Sequence, residues 1–156
     1  MVKAGDLFMS GRTGGVVGAV VPWGNGFAGV APAHVFRYSG TVSLTVCGFK
    51  TSVIYVPGDA DLAYFPVGAK EATHMAKPTY GEASLVNAMR TMDCRITDVS
   101  WSVAFVMLQQ RNMPGPGDSG TPVIQDGRVV GMLLTINLGT CKGVIISSDL
   151  MRRGRG

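Results

Sequence analysis

The chain has 156 residues, 46% of them apolar and 15% charged, with a formal net charge of +4. Soluble domains carry about 25% charged residues, so this composition excludes a disordered chain or a solvated charged rod, and the length suits one domain with its own core. Gly 22 and Pro 8, without a G-X-Y period, exclude collagen and long helices and point to many tight turns.

Apolar or β-branched segments recur along the chain. They are Gly15 to Val21, Gly26 to Val30, Thr41 to Val46, Thr51 to Val56 and Leu62 to Phe65, then Ser84 to Met89, Cys94 to Val99, Ser102 to Leu108, Pro122 to Ile124, Arg128 to Ile136 and Gly143 to Ser147. Such segments predict strands, and the intervening WGNG, RYSG, VPGD, NMPGPGDSG, QDG and NLGT predict turns. Only Ala69 to Met75 and the stretch from Ser147 or Ser148 to Arg153 have room for a helical turn, the second with Ser148 as N-cap. Many short strands and almost no helix predict an all-β fold, a sandwich or closed barrels, because these bury both faces and hide the edges. The polar stretch around Gly68 to Tyr80 divides the strands into two groups and is expected to link them.

The apolar runs fall far short of the roughly 20 residues of a membrane span, and Gly interrupts them. The N-terminus carries Lys3 and Asp6 without an apolar run, so no secretory signal is expected. Cys47, Cys94 and Cys141 lack ligand spacing, which suits buried thiols in a reducing compartment and predicts neither metal nor cofactor. Arg152, Arg153 and Arg155 make a basic tail; a solvated end is expected, with RNA contact as the alternative.

The strongest chemical signal is Gly117-Asp118-Ser119-Gly120, set between Met113-Pro114-Gly115-Pro116 and Thr121-Pro122-Val123-Ile124. A loop this rich in Gly and Pro can present one hydroxyl and aim successive N–H groups into one concavity, the geometry of an oxyanion hole. A serine needs a base to remove its proton. His34, in Pro32-Ala33-His34-Val35 after an apolar strand, is the candidate; His74 lies in the polar linking stretch and is expected at the surface. Asp61 precedes the apolar Leu62-Ala63-Tyr64-Phe65, where a partly buried carboxylate needs a partner such as an imidazole N–H. Asp59 is the alternative, and Asp118 is expected to shape the serine's loop.

The order His34, Asp61, Ser119, with Ala31-Pro32-Ala33-His34-Val35, Asp61-Leu62-Ala63 and Gly117-Asp118-Ser119-Gly120, resembles the chymotrypsin-like serine proteases over nearly the whole chain. The short spacings resemble the compact enzymes of positive-strand RNA viruses, with the alphavirus capsid protease, arterivirus and astrovirus branches all open. The resemblance implies two antiparallel six-stranded β-barrels with the active site in the groove between them. A protease domain over 1–156 would divide into an N-terminal barrel over 1–70, a linker over 71–80, a C-terminal barrel over 81–148 and the basic tail over 149–156. It implies a serine endopeptidase with a Ser119-His34-Asp61 triad, an oxyanion hole at Gly117, Asp118 and Ser119, and a viral polyprotein as polypeptide substrate, cut in cis and in trans in the host-cell cytoplasm. Met113, Leu133, Leu134, Thr135, Gly143 and Val144 would line the pocket for the residue before the scissile bond, with an apolar preference unless Lys142 enters it. Two alternatives follow: a capsid-like protein that cleaves itself once, and a silent RNA- or partner-binding module of the same fold. No Ile-Val-Gly-Gly terminus is present to dock on Asp118, so activation of that kind is not expected.

Overall fold

Alternating burial organises the strands from the start of the chain. β1 (Leu7–Ser10) turns Phe8 and Ser10 inward and Leu7 and Met9 outward, and pairs antiparallel with β2 (Thr13–Val16). This is a computed structural model describing residues 1–153; Arg155 and the Arg153 side chain of the basic tail lie outside what it describes. β3 (Ala19–Trp23), β4 (Gly26–Ala31), β5 (Ser43–Val46), β6 (Phe49–Ser52) and β7 (Ala63–Val67) complete the first half. β8 (Gly81–Val86), β9 (Thr91–Val99), β10 (Val103–Leu108), β11 (Pro122–Gln125), β12 (Arg128–Asn137) and β13 (Lys142–Ser147) form the second.

The second half closes into a six-stranded barrel in the order β10-β13-β12-β11-β8-β9. The first half differs from the expected closed barrel of six strands. Its seven strands form one sheet, β2-β1-β5-β6, and another, β3-β4-β7. β7 contains Pro66, which has no N–H for a continuous ladder to β6. The Thr51 hydroxyl donates to the Pro66 carbonyl at 2.8 Å, and an isolated bridge between Tyr55 and Tyr64 carries the remaining contact.

The expected strand over Gly15 to Val21 is split at Val17-Gly18. A Cβ at Gly18 would lie 2.3 Å from the Met132 sulfur and 3.1 Å from the Gly120 carbonyl oxygen, so glycine lets the chain pass close against the second half there without displacing the Met132 side chain. Helix is also placed differently. Ala69 to Met75 is irregular, because its polar groups bond sideways: Thr73 N–H to Val20 O at 2.8 Å, and Val129 N–H to His74 O at 3.0 Å. An unforeseen helix, α1 (Ala33–Ser39), follows β4, while α2 (Ser148–Arg153) lies where expected. α1 is poor in strong helix formers and depends on packing. Val35 and Phe36 are buried, Phe36 stacks on Phe8 at 5.5 Å, and Gly40 closes the helix in the left-handed region.

Each half has its own apolar core, around Phe8, Phe36 and Phe65 in the first and Leu85, Met92 and Ile145 in the second. A further cluster, including Val30, Leu62, Tyr64, Met132, Ile146 and Met151, joins them. Tyr64 is fully buried there, and its hydroxyl donates to the Met151 carbonyl at 2.7 Å. Cys94 is buried as expected, but Cys47 is exposed and Cys141 half-buried. Both sit in turns with positive φ, 50° and 59°, which places them on hairpin tips rather than strand faces. Among the described residues no helix is long and apolar enough to cross a membrane, and no group of three or more His, Cys, Asp or Glu could hold a metal ion.

Candidate active site

Three chain segments meet where the halves face each other. β4 ends at Ala31, Pro32 turns the chain, and His34 falls in the first turn of α1. Asp61 lies in the turn before β7, and Ser119 in the loop before β11. The structure brings all three together. His34 Nδ1 is 2.7 Å from Asp61 Oδ2, and His34 Nε2 is 3.3 Å from the Ser119 hydroxyl. Asp61 Oδ1 also accepts the His34 backbone N–H at 2.8 Å, so one carboxylate fixes both ring and main chain. Asp59, the alternative, is exposed, and His74 is exposed beside Glu71 at 3.8 Å.

Burial alone would raise the Asp61 carboxyl, but the His34 ring and N–H hydrogen bonds, with the Arg37 guanidinium 3.6 Å away, outweigh it and hold Asp61 below the usual carboxylate range. An ionised carboxylate only accepts, so Nδ1 carries the ring proton and Nε2 is left as acceptor for the Ser119 O–H.

The serine loop is fixed from several sides. Asp118 Oδ2 accepts the Gly115 N–H at 2.7 Å, and the Asp118 N–H donates to Gly115 O at 3.1 Å. Gly120 N–H donates to Leu133 O at 2.9 Å, and Val16 N–H to Ser119 O at 3.0 Å. The N–H groups of Gly117 and Ser119 make no hydrogen bond among the described residues. They are thus the two free donors beside the hydroxyl, whereas the Asp118 N–H, also expected in the oxyanion hole, is taken up within the turn. Gly117 has φ +90° and Gly120 φ +97°, conformations that favour glycine.

Two residues outside the sequence expectations complete the loop. Asn87, buried in the β8–β9 turn, donates to Asp118 Oδ1 at 3.1 Å and to Thr121 Oγ1 at 3.0 Å. Arg90 lies 3.0 Å from Asp118 Oδ2 and also donates to the Met113 carbonyl. An Asn and an Arg in an ordinary hairpin turn carry no local signal of this task.

The residues expected around the specificity pocket divide. Leu133 is 3% exposed, and a Cβ on Gly143 would meet Val106 at 3.0 Å, so both face the barrel core. Met113, Leu134 and Val144 are half-buried and Thr135 exposed. Lys142 holds its ammonium 5.6 Å from the Phe105 ring centre.

No protein-family model and no curated protein matches the sequence. Solved structures do, and they define the fold as that of the chymotrypsin-like serine proteases. A glutamic-acid-specific serine protease described as using a histidine triad in substrate binding aligns with a TM-score of 0.73 at 12% identity, over 94% of this chain and 93% of its own. The serine protease of a human pathogenic astrovirus aligns with a TM-score of 0.64 at 18% identity, over 97% and 94%. The NSP4 proteinase of equine arteritis virus gives 0.62 at 18%, over 96% and 75%. At these identities the likeness is one of fold.

Proposed function

We propose that this chain is a serine endopeptidase that cleaves a viral polyprotein through an acyl-enzyme. The observation that carries the reading is the continuous chain of contacts from Asp61 through His34 to the Ser119 hydroxyl, at 2.7 Å and 3.3 Å. In this mechanism Ser119 Oγ attacks the peptide carbonyl as His34 Nε2 takes its proton. Asp61 holds the ring in the required tautomer and stabilises the imidazolium. The free N–H groups of Gly117 and Ser119 receive the oxyanion. His34 then protonates the leaving amine, and water repeats the attack to release the acid and regenerate the serine.

The viral, polyprotein-processing part of the reading draws support from the astrovirus and arterivirus enzymes among the fold's relatives and from the short spacings between His34, Asp61 and Ser119. Glutamate recognition by three histidines is ruled out here, since the chain has two, His34 and His74. The pocket residues that keep exposure, Met113, Leu134, Thr135 and Val144, are mostly apolar, which favours an apolar residue before the scissile bond. The test is digestion of an unfolded protein substrate with mass mapping of the new termini. Internal cuts lost in Ser119→Ala support the reading; cuts retained in that variant overturn it.

A further inference from the structure

We propose that Arg37 is a positioning residue of the triad: its guanidinium, acting through Asp61, sets the lower pH limit of the activity. This rests on the endopeptidase reading above. Arg37 follows His34 by three residues in α1, so the short helix that carries the base also turns a cation towards the base's partner. Arg37 Nη2 lies 3.6 Å from Asp61 Oδ1, an ion pair too long for a hydrogen bond.

The two oxygens of Asp61 have separate tasks. Oδ2 faces His34 Nδ1 at 2.7 Å, while Oδ1 accepts the His34 backbone N–H at 2.8 Å and meets Arg37. Among the described residues, no cationic side chain other than His34 and Arg37 comes within 4.0 Å of Asp61, and no residue other than His34 hydrogen-bonds to its carboxylate.

The other charges around the pair do not replace Arg37. Asp59, in the same turn as Asp61, is exposed, and Asp118 in the serine loop is matched by Arg90 at 3.0 Å. Arg12, in the β1–β2 turn against the far end of α1, is exposed and makes no ion pair with Asp61. β2 reaches the site with Val16, β4 with Ala31 and β12 with Leu133 and Leu134, all uncharged.

The guanidinium acts in one direction. Burial opposes the ionised form of Asp61, and the His34 hydrogen bonds together with Arg37 outweigh it. A cation beside Oδ1 also offsets part of the negative charge that would draw a second proton onto the ring, so His34 Nε2 stays open to the Ser119 O–H further into acid. A ring protonated at both nitrogens cannot take the serine's proton, and activity is lost. Arg37 is 67% exposed, so salt should weaken its influence. The last turn of a helix favours a cation in any case, and that role alone predicts a loss of Tm with an unchanged pH profile.

The experiment is the pH dependence of kcat/KM for p-nitrophenyl acetate from about pH 5 to about pH 8, each profile scaled to its own plateau. His74 lies outside the site beside Glu71, so the acid limb in this range belongs to the Asp61–His34 pair. At low ionic strength the limb of Arg37→Gln is expected about half a pH unit above that of the wild type, and the limb of Arg37→Glu about one unit above it. Arg37→Lys should stay with the wild type. In the unaltered protein, raising the salt from about 0.01 M to about 1 M should carry the limb up towards that of Arg37→Gln, because the screening length falls from about 30 Å to about 3 Å. That measurement needs no variant to fold. A limb that is the same in the wild type and Arg37→Gln, that ignores salt in the wild type, or that moves equally in Arg37→Gln and Arg37→Lys overturns the proposal. So does a downward shift in Arg37→Gln. No ester turnover by the folded wild type, or turnover that persists in Ser119→Ala, overturns the endopeptidase reading and this proposal with it, a result distinct from serine-dependent turnover whose pH profile ignores Arg37.

Discussion

Arg90 holds its Nη2 3.0 Å from the Oδ2 of Asp118, the residue before Ser119. With the Met113 carbonyl on the same guanidinium and Asn87 on the other Asp118 oxygen, a hairpin turn fixes the loop that carries both free N–H donors. Arg90→Ala is expected to lower kcat for an ester about tenfold to a hundredfold with little change in KM, since it loosens groups that act on the transition state. The Arg90 side chain is 39% exposed, so Tm should move little. Arg90→Lys keeps the charge and is expected to recover part of kcat. A loss of Tm with unchanged kcat in the folded fraction would make Arg90 merely structural.

Asp61→Asn is expected to reduce kcat by about 10³- to 10⁴-fold, because an amide no longer enforces the Nδ1–H tautomer. The same carboxyl links stability to acid. Its folded-state pKa lies below the unfolded value of about 3.9, so its contribution is present above that value and is lost as the pH falls through the lower, folded one. Urea midpoints measured across this window should fall more steeply in the wild type than in Asp61→Asn.

Cysteine reactivity should follow position. Burial, then Asp93 and Glu82, push the Cys94 thiol up to about 12, while Cys47 is exposed, its thiol raised by partial burial and by Asp6. Iodoacetamide at pH 8 should modify Cys47 before Cys94, with Cys94 reacting only on unfolding. An unfolded thiol ionises near 8.5, so Cys94 lowers stability as the pH rises from there towards about 12. Cys94→Ala should flatten that alkaline loss.

Gly120→Ala should destabilise strongly. A Cβ would lie 2.1 Å from the Val16 carbonyl oxygen, at a φ of +97° that L-residues avoid. The expected loss exceeds about 2 kcal/mol in denaturant unfolding. Gly117→Ala meets nothing within 4 Å and should cost less, by strain alone.

Much of this arrangement was legible in the sequence. GDSG between Pro-rich and β-branched residues located the loop, and the small residues around His34 and the apolar run after Asp61 located its partners. α1 escaped because Ala-His-Val-Phe-Arg-Tyr-Ser is weak in intrinsic helix preference; the available signal was Pro32 before it and Gly40 after it, the asymmetry of helix ends. β1 escaped because only Leu7 to Ser10 alternate, too few residues for periodicity to register. Leu133 and Gly143, which the resemblance implied for a pocket, face the core, since a resemblance in short motifs does not carry the side-chain facing of a strand that lies outside them. Asn87 and Arg90 act on Asp118 across 31 and 28 residues, a relation that exists only once β8 and β11 are paired.

The central claim is that Ser119 is activated by His34. Its most direct test is labelling with a fluorophosphonate, followed by mass mapping of the modified peptide in the wild type, Ser119→Ala and His34→Ala. An adduct on Ser119 that is absent from both variants, each folded by circular dichroism, is the predicted result. Labelling of Ser119 that persists in His34→Ala, or a folded wild type that takes no label, would contradict it.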